Sequence, residues 1–214
     1  METEKSHYDE KYFLWQKEMG EFGAKADSFK FESLINEKDT VLDFGCGGGY
    51  LLSILPCKRR IGVELNDVAR QQAFENGIEV YKYSTEVTDN SCDLIISNHA
   101  LEHTFNPYGE IKSLYSKLKQ NGMIVFVVPN EKKKKWNPND INKHLYTWSE
   151  INIGNLFDVV GYNVLSVKEI YHRWPPKYIL IYKFFGKTIF HFICRIYGFV
   201  RNNLSQIQIV AAKK

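Results

Sequence analysis

Five short apolar runs, each bounded by polar or turn-forming residues, punctuate the middle of the chain: TVLDF (40–44), RIGVEL (60–65), IEVYKY (78–83), CDLIIS (92–97) and GMIVFVVP (122–129). Their length and β-branched content predict strands buried on both faces of a parallel sheet. Between them lie segments of helical length, at about 48–55, 67–75 and 107–119, and in the last Ile111, Leu114, Tyr115 and Leu118 recur at helical spacing. Strands alternating with helices predict crossover connections and a mostly parallel α/β sheet. On either side, the pattern predicts one or two helices over 7–36, with Tyr12, Trp15 and Met19 on one face, then a helix at 147–158 and strands at 162–169 and 206–212.

Composition narrows the class without changing this outline. A chain of 214 residues, 44% hydrophobic and 25% charged, holds one domain with some elaboration and excludes disordered and fibrous proteins. The four cysteines (Cys46, Cys57, Cys92, Cys194) form no CxxC pair and read as reduced thiols of a cytosolic protein. The segment METEKSHYDEKYFLWQKEMGEFG lacks the apolar core of a secretory signal, and no run reaches the length of a membrane span. Lys132 to Lys135 reads as a solvated loop.

Charge is more informative in its distribution than in its total of +3. Residues 1–169 carry 20 basic against 25 acidic side chains, whereas residues 170–214 carry eight Lys/Arg and no acid. Residues 170–200 also hold 10 of the 31 aromatics, with Lys183, Lys187, His191 and Arg195 at i, i+4 spacing along one side of a predicted helix. Such a helix packs on the body or on a second subunit, sits at an anionic bilayer surface, or serves as a lid whose cations meet a substrate phosphate.

Candidate chemistry begins at Asp43-Phe44-Gly45-Cys46-Gly47-Gly48-Gly49, a DxGxGxG pattern where a predicted strand hands over to a helix. Glycines there permit a tight turn and let a ligand lie against the main chain. A dinucleotide fingerprint requires glycine or alanine at position 50, which is tyrosine. Asp43 at the loop entrance favours a cationic or amino-bearing ligand over a phosphate. Glu64 ends the second strand 21 residues later, where doubly wound folds place a carboxylate for ribose hydroxyls, so the pair implies a nucleoside ligand.

These residues, VLDFGCGGG (41–49), IGVELN (61–66), CDLIISNHALEH (92–103) and LKQNGMIVFVVPN (118–130), resemble a class I S-adenosylmethionine-dependent methyltransferase of the small-molecule type. The resemblance implies a Rossmann-like, doubly wound, mostly parallel seven-stranded sheet with an antiparallel last strand. It implies an N-terminal helical cap (1–36), a cofactor-binding core (37–169), a basic aromatic helical insertion (170–204) before the last strand, and a closing strand (205–214), all within one domain. By the same resemblance the Gly45/Gly47/Gly49 loop backs the methionine part of S-adenosyl-L-methionine, with Asp43 and Cys46 among the cofactor-binding residues, Glu64 holds the ribose, Leu65 packs near the adenine, and Asn98 and His99 approach the sulfonium. Many members carry an Asp after the third strand for the adenine amino group; here the segment is YKYSTEVT, leaving Ser84, Thr85 or Glu86 as substitutes.

A hydroxyl acceptor benefits from a general base, and histidine is the usual one. His103, in the ALEH element beside the expected methyl donor, and His144, in KHLYTWSE, are the catalytic candidates; His7 and Tyr12 are candidate lid residues. Glu102 with His103 resembles the acidic/histidine pair that some quinone-type methyltransferases use for a divalent ion, but two adjacent ligands are not a metal site, so no metal is expected. The fourth strand leads into SNHA and lacks the Pro-Pro box of enzymes that methylate planar amino groups, so nucleic acid is not an expected partner. The N-terminal pattern and the insertion resemble methyltransferases of bacterial surface-polysaccharide assembly. That likeness implies O-methylation of a sugar or glycan intermediate. The alternatives are a small aromatic or quinone-like lipid acceptor and a non-catalytic cofactor-binding module. The expected location is cytoplasmic, or peripheral at the inner face of the membrane, with membrane contact or dimerisation through residues 177–200.

Overall fold

The computed structural model describes residues 20–131, 134–201 and 205–214. His7, Tyr12, Trp15, Met19 and the first half of the lysine run therefore lie outside the described residues. Seven strands, β1 (Thr40–Phe44), β2 (Arg59–Val63), β3 (Glu79–Tyr81), β4 (Cys92–Asn98), β5 (Leu118–Asn130), β6 (Asn163–Ile170) and β7 (Ser205–Ala212), form one sheet in the order β3-β2-β1-β4-β5-β7-β6. β1 to β5 run parallel and β7 lies antiparallel between β5 and β6, as the closing-strand expectation requires. Strand order reverses between β1 and β4, and their carboxyl ends open the crevice where ligands sit in such sheets.

The helices are α1 (Tyr50–Ile54), α2 (Asp67–Glu75), α3 (Pro107–Lys117), α4 (Glu150–Val160) and α5 (Tyr178–Arg201), preceded by helical residues 20–27. Their ends are written locally. The Asn66 side chain accepts the N–H groups of Val68 and Ala69 at the start of α2. Ser149 and Asn152 cap each other at the start of α4, and Gly161 closes it with φ 113°. These partners satisfy donors and acceptors that a helix end otherwise leaves open.

Both sheet faces are covered, which explains apolar runs rather than alternation along the central strands. On one face Leu42, Ile95 and Phe126 pack with Ile111, Leu114, Ile153, Phe157 and Tyr162. On the other, Val41, Leu94, Ile96 and Val125 pack with Phe31, Leu52, Leu55 and Ala73. One boundary moves: Leu118 continues the helical periodicity of α3 but pairs with Cys92 as the first residue of β5, across an irregularity at Cys92/Leu94. The helix accordingly ends at Lys117 and not at 119.

The insertion is helical, but its predicted basic stripe is not a continuous outer edge. Gly186 (φ 73°, ψ 175°) divides α5 into two helices. Beyond the break, Lys187 meets Glu32 at 3.1 Å and His191 Nδ1 lies 3.0 Å from His172 Nε2, so both point toward the body, where Phe190, Cys194 and Gly198 are buried. The opposite face is apolar and open: Phe192 is 64% exposed, Phe199 70% and Val200 73%. Among the described residues no helix is long and apolar enough to cross a membrane.

Candidate active site

β1 delivers Asp43 and then the glycine loop to the crevice. Gly45, Gly47 and Gly49 adopt φ of +77°, +53° and +74°, a region side chains rarely enter. Each needs glycine for a different reason. A Cβ on Gly45 would stand 2.3 Å from Ala100 Cβ, so its bareness lets the exits of β1 and β4 pass. A Cβ on Gly49 would meet Ile78 at 2.8 Å, a packing constraint under α1. A Cβ on Gly47 meets nothing within 4 Å; the loop is bare there toward open space. The Glu64 carboxylate accepts N–H bonds from Gly47 (2.9 Å) and Asn66 (2.8 Å), tying the loop to the end of β2. Burial pushes the Glu64 carboxyl above its ordinary pKa even against these backbone bonds.

A cavity of about 520 Å³ opens at this point. Asp43, Gly45, Cys46 and Gly47 line one end; Asn98, His99, Glu102, His103, Glu131 and His144 line the rest, with Asp27, His172, Arg173 and Trp174 alongside. Eight of the predicted residues thus share one space: Asp43, Gly45, Cys46, Gly47, Asn98, His99, His103 and His144. Gly49, Glu64 and Leu65 are not among its lining residues; Leu65 lies beyond β2 and is 48% exposed. Of the substitutes after β3, Ser84 Oγ lies 2.9 Å from Glu110 Oε2 and from Ser113 Oγ, and Glu86 Oε2 accepts the N–H groups of Lys82 and Tyr83. Neither lines the cavity.

Asp43 is almost wholly buried, and no described residue donates a hydrogen bond to its carboxylate. Burial, with the nearby Glu64 charge adding, raises its pKa to about 7. An ammonium group against it would find a carboxylate that lacks a counter-charge.

At the other end a 3₁₀ turn, Leu101–His103, follows β4. His99, at φ +60°, enters it, with Nδ1 3.4 Å from Glu102 Oε1. The Leu145 N–H donates to the Glu102 carbonyl at 2.9 Å, pinning the segment that carries His144 onto this turn. The His103 and His144 rings meet edge to face with centroids 4.8 Å apart. His144 Nδ1 lies 2.9 Å from Glu131 Oε2, while Lys134 donates to Glu131 Oε1 at 2.8 Å. Burial opposes ionisation of Glu131, but the Lys134 and His144 bonds outweigh it and hold its pKa below the ordinary value. A carboxylate bonded to Nδ1 fixes the imidazole and leaves Nε2 toward the cavity chemistry.

Several contributors carried no sequence signal. Asp27 and Lys30 form a buried pair at 3.1 Å, and both bond to Asn98: Lys30 Nζ donates to Oδ1 at 3.1 Å and Asn98 Nδ2 donates to Asp27 Oδ2 at 3.2 Å. They position the end of β4 from 68 or more residues away. Burial depresses His172 to about 4, keeping it neutral beside the cavity. Glu131 stands one residue past the GMIVFVVP–Asn130 strand, so its place at a strand's carboxyl end is the one readable hint.

With this geometry the chain can be compared with known proteins. Residues 15–167 match a family model described as a methyltransferase domain. The chain is 31% identical over 100 residues to ubiquinone biosynthesis O-methyltransferase of Haemophilus ducreyi, covering 39% of this chain and 42% of that one. It is 29% identical over 104 residues to malonyl-(acyl-carrier protein) O-methyltransferase of Marinomonas sp., covering 43% and 38%. The chain thus spans less than half the length of these curated relatives. In fold it is similar to a Thermotoga maritima protein described as a SAM-dependent methyltransferase and possible histamine N-methyltransferase, with TM-score 0.66, 16% identity, and 96% and 94% of the two chains covered.

Proposed function

The chain belongs to the methyltransferase domain family, and from that premise we propose that it is an S-adenosyl-L-methionine-dependent O-methyltransferase acting on a sugar or glycan hydroxyl. When bound, S-adenosylmethionine supplies a methyl group on a sulfonium that an acceptor oxygen displaces, leaving S-adenosylhomocysteine. The donor set fits that cofactor. Asp43 offers a buried, uncompensated carboxylate to the amino group, and the bare backbone at Gly47 admits a narrow ligand without a clash. Glu64 keeps the loop in that shape through the Gly47 N–H and so acts on the cofactor mainly by positioning.

The observation that carries an oxygen acceptor is the Glu131–His144 pair. An alkyl hydroxyl holds its proton tightly, so it needs a base where an amine or thiol needs less help. His144 takes that proton at Nε2, and Glu131, on Nδ1, stabilises the imidazolium that forms. His103 meets it edge to face and orients the ring. Asn142, Glu131, His144 and Arg173 give the acceptor end a polar lining suited to a polyhydroxyl compound. The similarity to a ubiquinone biosynthesis enzyme favours a quinone-like lipid as the second reading.

Incubating the protein with labelled cofactor and a panel of nucleotide sugars, lipid-linked glycans and catechol-type acceptors tests both readings. Transfer to a sugar hydroxyl is expected; transfer to catechols alone selects the second, and tight cofactor binding with no transfer to any class leaves a binding module. In thermal melts S-adenosylhomocysteine is expected to raise the midpoint by mass action and NAD to leave it unchanged. A rise with NAD alone overturns the assignment.

We further propose that the open face of α5 meets an anionic membrane surface at the inner leaflet. Phe192, Ile196 and Phe199 are exposed on it, and the exposed Lys183 and Arg195 lie on the same element, which carries no acid. Apolar side chains flanked by cations suit the boundary between acyl chains and charged headgroups. Cosedimentation with vesicles containing phosphatidylglycerol is expected, weakening with salt and falling at least tenfold in Phe192→Ser/Phe199→Ser. A stable dimer in solution that ignores vesicles would assign this face to a second copy instead.

A further inference from the structure

Tyr50 opens α1 at the exit of the glycine loop and lines the cavity. Its hydroxyl oxygen is buried, and no described residue shares a hydrogen bond with it. A buried hydroxyl without a partner costs free energy unless a ligand completes it. The ring is held in place from two sides. A Cβ on Gly48 would stand 2.6 Å from Tyr50 Cε2 and 3.2 Å from its hydroxyl oxygen, and one on Gly20 would stand 2.8 Å from Cδ2. The phenol is thus clamped between the bare backbone of the loop and that of the helical segment 20–27. Gly48 is itself anchored from behind, because Asn76 Nδ2 donates to its carbonyl at 2.7 Å.

Most backbone donors of the loop are already committed. The N–H groups of Gly45 and Cys46 both donate to the Val63 carbonyl, that of Gly47 to Glu64 and that of Gly49 to the Cys46 carbonyl. Among the described lining residues Arg173 is the one with a permanent positive charge, and it belongs to the acceptor end. The amino-acid moiety of S-adenosylmethionine carries a carboxylate beside the ammonium group assigned to Asp43, and in this half of the cavity the phenol is the side-chain donor still without an acceptor. We propose that the Tyr50 hydroxyl donates to that carboxylate and makes the site selective for a ligand carrying both charges.

This assignment rests on the reading of the cavity as a methyltransferase centre and deepens it. Burial, and then the Glu21 charge, push the Tyr50 pKa up, so the phenol stays protonated and serves as a donor. Glu21 is exposed, so solvent screens its repulsion of an arriving carboxylate. A neutral donor on one side and the Asp43 carboxylate on the other read the two ends of the amino acid separately. A nucleoside without that moiety meets neither group. The side chain that departs from the dinucleotide fingerprint at position 50 thereby acquires a role of its own.

The test titrates the full chain and its Tyr50→Phe variant in a calorimeter with S-adenosylhomocysteine and with the decarboxylated analogue, in which hydrogen replaces the homocysteine carboxylate. S-adenosylhomocysteine should bind the variant about tenfold more weakly, the size of one hydrogen bond to a charged group. The analogue should bind both proteins equally, because the hydroxyl then has nothing to reach. S-adenosylhomocysteine binding that is unchanged in the variant, or an analogue weakened by the variant to the same degree, overturns the Tyr50 assignment and leaves the methyltransferase reading standing. A wild-type chain that binds neither compound overturns that reading, and the ligand assigned to Tyr50 goes with it. Ligand-free melts supply an independent check. Since the hydroxyl has no described partner, Tyr50→Phe should melt no lower than wild type. A melting point several degrees lower would mean that the hydroxyl is already engaged within the protein, and overturns the assignment as well.

Discussion

Asp43→Asn is expected to weaken S-adenosylhomocysteine binding about 100-fold at pH 8, or about 2.7 kcal/mol, while making the ligand-free protein more stable at that pH. The two effects share one cause. In the free protein burial, then the Glu64 charge, raises the Asp43 pKa from 3.8 to about 7. The protonated form is favoured by the fold, so its contribution to stability is complete below about 3.8 and is lost as pH rises through about 7. At pH 8 the free protein therefore carries a buried charge with no described hydrogen-bond donor, and asparagine relieves it. Below about pH 3.8 wild type and variant should melt together, because the side chain is then neutral in both the folded and the unfolded chain, and the gap should open between about 3.8 and 7.

The ligand reverses this preference. Its ammonium group compensates the carboxylate, so wild-type affinity should rise with pH and level off above about 7, whereas the variant should show weak binding without that rise. Calorimetric titration from pH 5.5 to 8.5 beside thermal melts reads both. If Asp43→Asn binds as tightly as wild type at pH 8, Asp43 does not receive the amino group. If the variant also melts lower at pH 8, the buried charge is compensated by something other than ligand.

The central strands and the glycine loop were legible because each depends on local pattern. Apolar runs of strand length encode burial on both faces, and DFGCGGG at a strand end encodes a bare turn whether or not its ligand is known. His103 and His144 could be chosen by position after β4 and β5, and both reach the cavity. Encounters across long loops could not be read. Lys30 on Asn98, Leu145 on Glu102 and His144 on Glu131 depend on which turn a connection makes, and periodicity does not specify that. The tail shows a subtler failure: i, i+4 spacing assumes one continuous helix, and Gly186 breaks it. Lys187 and His191 then face the body beside the buried Phe190 and Cys194, while Phe192 and Phe199 face outward, so cations and aromatics are divided between the two sides instead of one basic edge and one apolar face.

The glycine loop supplies the second large effect, because two of its glycines should fail in opposite ways. Gly45→Ala places a methyl 2.3 Å from Ala100 Cβ at φ +77°, so both overpacking and left-handed strain apply. Together these cost about 3 kcal/mol, or roughly 10 °C in melting temperature for a chain of this size. Gly47→Asn differs on each count. Its φ of +53° is one that asparagine tolerates, no atom lies within 4 Å of the new Cβ, and the N–H to Glu64 remains, so stability should change by no more than about 1 kcal/mol. The added side chain instead occupies the open space in which we propose the cofactor lies, and S-adenosylhomocysteine binding should fall below detection. Melting curves with and without that ligand separate the outcomes: Gly45→Ala starts lower yet still shifts upward with ligand, whereas Gly47→Asn starts near wild type and does not shift. A ligand shift retained in Gly47→Asn would place the cofactor away from this loop, and an unchanged melting point in Gly45→Ala would mean that the β1 and β4 exits separate without cost.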